Sequence, residues 1–259
     1  MANALFESTV HSITPFIDPR GRLSGTATGQ SVLISGAGEL IGRGYATAFA
    51  LAGATHVTLV GRRAGILEET RDAVLAVAPN TKVLVVPDTD ISKEANVASL
   101  FAKPADILIN NAAISGTWQP FAQQTPSQWW AVQEINMRGT INMCHAYTSA
   151  LMSTSPLKAG LIINSSSVGS YAYLPGISAY ANSKAAMNNF TEYIDSENAS
   201  AHAETPAKVS RITAIPMQLG GVQTEMAGVL PKELFDTLED NPELAGGVAV
   251  WLSAEGRWL

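Results

Sequence analysis

The chain of 259 residues has a single cysteine, Cys144, so no disulfide can close within it. A lone thiol suits a reducing compartment and excludes a disulfide-stapled scaffold. Basic charge is scarce as well: Lys and Arg number 16 against 22 Asp and Glu, a net charge of −6. Phosphate-backbone binding needs a concentrated basic surface, so the balance argues against a nucleic-acid partner. Long apolar runs are missing. Each is broken by Gly, Ser, Asn or a charge well before the length a bilayer requires, which argues against membrane insertion. Residues 1–29 have no basic stretch followed by an apolar one and do not read as a signal peptide. Together these absences predict a cytoplasmic protein, and no residue cluster calls for a metal.

What is present is an ordinary globular composition, 46% hydrophobic and 15% charged with 21 Gly. The length fits one large α/β domain as easily as two small ones. Short apolar strands alternate with helical stretches. Strands are expected at 32–35, 56–60, 82–86, 106–109, 160–164 and 209–215. Helices are expected after the first strand to about Leu51, at 66–78, at 126–152 and at 178–199. Thr125 is the expected N-cap of the third, with Pro126 in its first turn and Gln128 completing a capping box. Near-continuous apolar strands separated by helices imply a parallel sheet covered on both faces, a three-layer, doubly wound, Rossmann-like fold. No repeat, low-complexity tract or linker divides residues 30–259, which read as one domain. Residues 1–29, with Pro15 and Pro19, read as an extended arm, packed on the body or a partner subunit, or else a mobile tail.

Two motifs suggest chemistry. Ser35-Gly36-Ala37-Gly38-Glu39-Leu40-Ile41-Gly42 lies directly after the first strand and opens the first helix. Glycine permits the tight turn there, and a helix N-terminus points unpaired N–H groups at a pyrophosphate. A plain strand-to-helix turn is the competing reading. The second strand ends in Val60-Gly61-Arg62-Arg63, with no acidic residue to take a ribose 2′-hydroxyl. Arg62 and Arg63 suit a 2′-phosphate instead, so NADP(H) is preferred over NAD(H), although Glu39 in the glycine loop pulls the other way. The second motif, Tyr180-Ala181-Asn182-Ser183-Lys184, puts a phenol and an ammonium four residues apart on one helical face. A nearby cation favours phenolate, so the pair makes a plausible general acid/base. By itself this spacing also describes a surface pair on an amphipathic helix.

The ordered set of these motifs with Asp90-Ile91-Ser92, Asn110-Asn111-Ala112-Ala113, Asn136, Ser165-Ser166-Ser167-Val168-Gly169 and Gly221-Val222-Gln223-Thr224 resembles the short-chain dehydrogenase/reductase family over about residues 30–259. Residues 9–23 resemble a leader found in a fungal branch of it. The resemblance implies an oxidoreductase interconverting a ketone and a secondary alcohol, with Tyr180 as acid/base and Lys184 holding the nicotinamide ribose and lowering the tyrosine pKa. Ser167 would bond the substrate oxygen and Asn136 would anchor a water relay. It implies a cofactor cleft lined by Gly36, Gly38, Glu39, Leu40, Ile41, Gly42, Arg62, Arg63, Asp90, Ile91, Asn110, Asn111, Ala112 and Ala113, together with Tyr180 and Lys184. Gly221, Val222 and Thr224 would cover the nicotinamide and phosphates. It also implies a homo-oligomer, a tetramer slightly ahead of a dimer.

The sequence departs from the family pattern in four places. Leu40 replaces a glycine, residues 216–220 replace a shorter Pro-Gly turn, the stretch 92–104 is short, and the chain ends where a seventh strand would begin. These departures keep open a non-redox isomerase, cyclase or binding role. The aromatic and apolar residues Trp118, Phe121, Tyr171, Tyr173, Met226, Leu230 and Phe235 suggest either a roomy pocket for a small to mid-sized apolar ketone, of secondary-metabolite type, or simple lid packing.

Overall fold

The computed structural model describes residues 9–154, 158–205 and 211–255. Six strands form one parallel sheet: β1 (Ser31–Ser35), β2 (His56–Val60), β3 (Lys82–Val86), β4 (Ile107–Asn110), β5 (Gly160–Ser165) and β6 (Ile212–Met217). Their order is β3-β2-β1-β4-β5-β6. The chain winds outward from β1 in one direction and returns to wind the other way from β4. The switch point between β1 and β4 therefore opens a crevice at the carboxyl ends of the strands, where ligands bind in such sheets.

The strands are apolar because both faces are covered, and alternate residues serve different cores. Val32 and Ile34 of β1 point into one layer, and Leu33 into the other. Ile107 and Ile109 of β4 divide from Leu108 in the same way. The first layer is covered by α1 (Leu40–Leu51), α2 (Ala64–Val77) and α8 (Pro242–Glu255). The opposite layer includes the short α3 (Glu94–Ala98), with buried Val97, and α5 (Gly139–Thr154). That is how the short 92–104 stretch closes: Phe101, on a single 3-10 turn, packs edge-on to Tyr147 with ring centroids 5.8 Å apart.

The expected helix at 126–152 is three pieces. The capping box at Thr125 and Gln128 forms and starts α4 (Pro126–Gln133). A π-helical segment, Glu134–Arg138, then interrupts the ladder before α5 resumes it. Periodicity of apolar residues does not report such an insertion. Past it, α6 (Ser178–Glu204) is a single helix of 27 residues, with α7 (Lys232–Phe235) a short turn beyond β6. The sixth strand runs later than expected, through Pro216 and Met217, which pair with Asn164 and Ser165. Residues 209 and 210, assigned to that strand from the sequence, lie outside the described residues, as do residues 256–259 at the chain end.

Residues 9–29 lie on the body. Ile17, Leu23 and Ala27 are buried in the α1/α8 layer. Phe16 packs 5.8 Å from Trp251 of α8, and Arg22 pairs with Glu255 at its end while stacking on Phe16.

Candidate active site

One cleft of about 820 Å³ opens along the carboxyl ends of the strands. It runs from the β1–α1 turn, past the ends of β2 and β4, to Tyr180 and Lys184. Its size lies in the upper part of the range for ligand pockets, roughly 300–1,000 Å³.

At the outer end, backbone approach sets the sequence. Gly36 has φ +64°, and a Cβ there would lie 2.8 Å from Ala112 Cα. A Cβ at Gly42 would strike the Gly36 carbonyl. The turn is tied to β4 by the Ser35 hydroxyl, which accepts from the amides of Asn111 and Ala112 (3.1 and 3.3 Å). The Asn111 side chain donates to the Gly36 carbonyl at 2.9 Å. Glu39, the N-cap of α1, makes no side-chain capping bond. The first-turn amides of α1, which have no intrahelical partner, are thus not taken up by the cap and suit an anionic group.

Leu40 stands at φ +36° and lines the cleft, the residue being 39% exposed. The backbone has the left-handed conformation that a glycine would adopt without strain, and a leucine holds it at a cost of about 1–2 kcal/mol. Its side chain is turned partly to solvent, so the crowding expected from the sequence is lessened but not removed.

Arg63 is already engaged. Its guanidinium lies 3.3 Å from Glu39 and 3.5 Å from Glu225, bridging the glycine loop to the opposite wall. Arg62 acts on Asp90. Burial pushes the Asp90 carboxyl up, but the hydroxyl and amide of Ser92, with Lys93 and Arg62, outweigh it and hold the group below its ordinary value. Both Ser92 bonds, at 2.7 and 2.9 Å, fall on Oδ1 of Asp90. Ile91 and Ala113 also line this part of the cleft.

At the inner end, α6 carries Tyr180, Ser183 and Lys184. Lys184 is buried and its ammonium donates to the Ser165 carbonyl at the end of β5. It lies 5.7 Å from the centroid of the Tyr180 ring. Burial lowers its pKa to about 8. Tyr180 moves the opposite way to the expectation: burial raises its pKa, and a hydrogen bond with Ser167 only partly offsets the shift. The phenol is accordingly protonated at neutral pH.

The three consecutive serines face different neighbours. Ser165 hydrogen-bonds the buried Tyr45 hydroxyl at 3.4 Å, and Ser166 donates to Asn188 at 2.5 Å. Ser167 lies beside Tyr180, and its hydroxyl accepts from the Gly169 amide at 3.1 Å. Asn136 sits in the π segment, fully buried. Its amide oxygen accepts from the Ile114 amide, and its amide nitrogen donates to the Ile114 carbonyl and to Ser183 (2.8, 2.9 and 2.9 Å). That side chain is therefore a brace between α6 and the loop after β4. The Asn136 backbone carbonyl accepts from Thr140 at 2.7 Å and, like its side-chain oxygen, has a second lone pair for the expected water relay.

The wall facing the glycine loop is formed by Leu219 and by Thr224, Glu225, Met226 and Val229. Ser115 donates to the Met226 carbonyl at 3.2 Å and ties this wall to the β4 loop. Two residues expected on the wall are elsewhere. Gly221 has its amide bonded to Asp240, and Val222 is buried inside the fold. The anticipated aromatic pocket does not assemble either. Phe121, Tyr171 and Tyr173 are largely exposed, and of the seven apolar residues singled out only Met226 lines the cleft. Ser115 and Glu225 fall in segments expected near the pocket, 115–121 and 224–244, but the contacts by which they close the cleft are with partners far away along the chain.

Among the described residues, no group of His, Cys, Asp and Glu is disposed to hold a metal ion, and no helix is long and apolar enough to cross a membrane.

Comparison with known proteins adds to the geometry. Residues 30–234 match the model of the short chain dehydrogenase family. The short chain dehydrogenase mpl6 of Monascus purpureus is 35% identical over 245 residues, 89% of this chain and 78% of that protein. The structure of a short chain dehydrogenase from Shigella flexneri superposes with a TM-score of 0.76 at 23% identity, covering 90% of this chain and 88% of the other. Levodione reductase superposes with a TM-score of 0.76 at 25% identity, covering 88% and 91%.

Proposed function

The chain belongs to the short chain dehydrogenase family, a nicotinamide-dependent oxidoreductase by that membership, and from this premise we propose that it interconverts a ketone and a secondary alcohol with NADP(H). The observation that carries the reading is the inner end of the cleft, where a protonated Tyr180 phenol stands beside Ser167 and a buried Lys184.

The residues present fit the cofactor. Gly36 and Gly42 let the β1–α1 turn close tightly on itself and on the end of β4, and the first turn of α1 suits a pyrophosphate. Arg62 and Arg63 at the end of β2 favour a 2′-phosphate, which would compete with Glu39 and Glu225 for Arg63. Asp90, its Oδ1 held by Ser92, keeps Oδ2 for an adenine amino group. A bound reduced nicotinamide supplies the hydride.

The chain supplies position and a proton. The Ser167 hydroxyl hydrogen-bonds the substrate oxygen, and Tyr180 gives it a proton as the carbonyl becomes an alcohol. The tyrosinate left behind is stabilised by the Lys184 ammonium, which lies 5.7 Å from the ring centroid. Lys184 has further N–H donors besides the one on Ser165, and these are available to ribose hydroxyls. Asn136 holds Ser183 and Ile114, and so the spacing between α6 and the β4 loop.

The reading extends to an apolar substrate of small to mid size, a role in secondary metabolism, a cytoplasmic location and a homo-oligomer. The fungal-type leader and the likeness to a Monascus protein support the metabolic role. Titration of the whole chain with NADPH and NADH, followed by protein fluorescence, tests the reading together with NADPH turnover against a panel of cyclic ketones. Saturable binding with NADPH tighter than NADH is expected. Absence of binding for both cofactors would overturn it and leave a non-redox role for the scaffold.

A further inference from the structure

The arm at residues 9–29 reaches further than a packing role needs. It runs along α8 and is seated there by that helix: a Cβ at Gly247 would lie 2.5 Å from the Ile13 side chain and 2.6 Å from the Ile17 carbonyl. Beyond this seat, His11 reaches the turn before α8. The Asn241 amide donates to the His11 carbonyl at 2.7 Å, and His11 Nδ1 lies 2.7 Å from Asp240 Oδ1. The side chain of Asp240 is only 11% exposed. Its other oxygen, Oδ2, accepts from the Gly221 amide, while the Asp240 amide donates back to the Gly221 carbonyl at 2.9 Å. Gly220, with φ +86°, has no room for a side chain, because a Cβ would lie 2.6 Å from the same Oδ2.

Gly220 and Gly221 are the root of the cleft wall. They lie between Met217, whose carbonyl accepts from Ser166 beside the inner site, and the wall residues Thr224, Glu225 and Met226. Glycine backbone at this root is free to swing unless something holds it: the Gln218 side chain accepts from the Gly220 amide, and the Asp240 carboxylate, the restraint that comes from outside the turn, accepts from the Gly221 amide. We propose that His11 and Asp240 are positioning residues of the site: through one carboxylate, the N-terminal arm sets the Gly220–Gly221 turn from which the wall at 224–229 extends over the cofactor cleft. The consequence for cofactor binding rests on the oxidoreductase reading. The consequence for the wall does not.

The test uses the whole chain carrying His11→Ala, His11→Asn or Asp240→Ala. Two readouts are hydrogen exchange over residues 219–230 without cofactor, and the NADPH Kd by fluorescence. His11→Ala should speed exchange in 219–230 by about tenfold, leave β5 and the start of α6 unchanged, and weaken NADPH by roughly threefold to tenfold. His11→Asn should restore both, because its side-chain amide places an N–H near the position of the imidazole Nδ1. Asp240→Ala should exceed His11→Ala in both readouts. Since His11 is partly exposed at the chain surface, its variant stays informative if Asp240→Ala does not fold.

Unchanged exchange in 219–230 with His11→Ala would overturn the proposal. So would faster exchange with an unaltered NADPH Kd. If the wild-type chain binds neither NADPH nor NADH, the oxidoreductase reading fails, and the exchange measurement still decides whether the arm sets the wall.

Discussion

The two ends of the cleft are built on different principles. At the inner end the groups are buried or half-buried, and the buried polar side chains have short-range partners: Lys184 on Ser165, Asn136 on Ile114 and Ser183. At the outer end the groups are exposed and charged. Arg63 is shared between Glu39 and Glu225, and Leu40 holds a strained backbone in partial contact with solvent. Hydrogen bonds in a low dielectric fix geometry, whereas exposed ion pairs are weak and exchange partners easily. The inner end is therefore preorganised for chemistry, and the outer end is adjustable for cofactor choice.

Mutations can break or sharpen that contrast. The largest effect is expected from Tyr180→Phe, which removes the proton donor and nothing else. Turnover should fall by about 10²–10⁴-fold while the NADPH Kd changes less than about threefold. Wild-type-like turnover would remove Tyr180 from the mechanism.

Next is Lys184→Met, where the readout is stability as a function of pH. Burial lowers the Lys184 pKa from 10.5 to about 8. Below pH 8 the native state carries a buried charge that the unfolded chain holds in water. Between pH 8 and 10.5 the unfolded chain binds more protons than the native one, so wild-type stability gains with pH in that window from this group. Replacing Lys184 should stabilise the cofactor-free protein at pH 7 by about 2 kcal/mol, after the lost bond to Ser165 is allowed for. Denaturant midpoints of variant and wild type should converge as pH rises towards 10.5. A constant difference across the range would show that Lys184 is not desolvated.

Arg63→Ala probes the outer end. It should weaken NADPH by about tenfold and leave NADH within about twofold, which fluorescence titration would read directly. Equal losses for both cofactors would assign Arg63 to closing the cleft rather than to the 2′-phosphate. The smallest effect is expected from Leu40→Gly. Relief of the left-handed strain and the added flexibility of glycine nearly cancel in stability, leaving the melting temperature within about 2 °C. The NADPH Kd should tighten by about threefold as the side chain leaves the cleft.

Much of the fold is legible in the residues. The six strands follow from short Val/Ile/Leu runs, and Thr125 with Gln128 announces the start of α4. The dehydrogenase family can be read from motif order. Four features resist such reading. The π segment at Glu134–Arg138 inserts a register shift that leaves no compositional trace. Leu40 looks like a lost glycine, yet the backbone keeps the glycine conformation because the turn around it is tied to β4 by Ser35 and Asn111. Arg63 reads as free charge until Glu225 arrives from a distant loop. Tyr171 and Tyr173 read as pocket walls because aromatic residues commonly are, but the loop after Ser167 carries them to the surface.

What the sequence determined by itself is local and periodic: which segments are strands, where helices begin, and that a phenol and an ammonium share one face of a helix. Those properties need only neighbours a few residues away. What tertiary structure decided is which groups are desolvated and which partners they meet. Tyr180 is held protonated by burial beside Ser167, Lys184 is turned to a strand-end carbonyl, and His11 is brought to Asp240 from 229 residues away. Burial and long-range contact are properties of the packed molecule, because both depend on what the rest of the chain places around a residue.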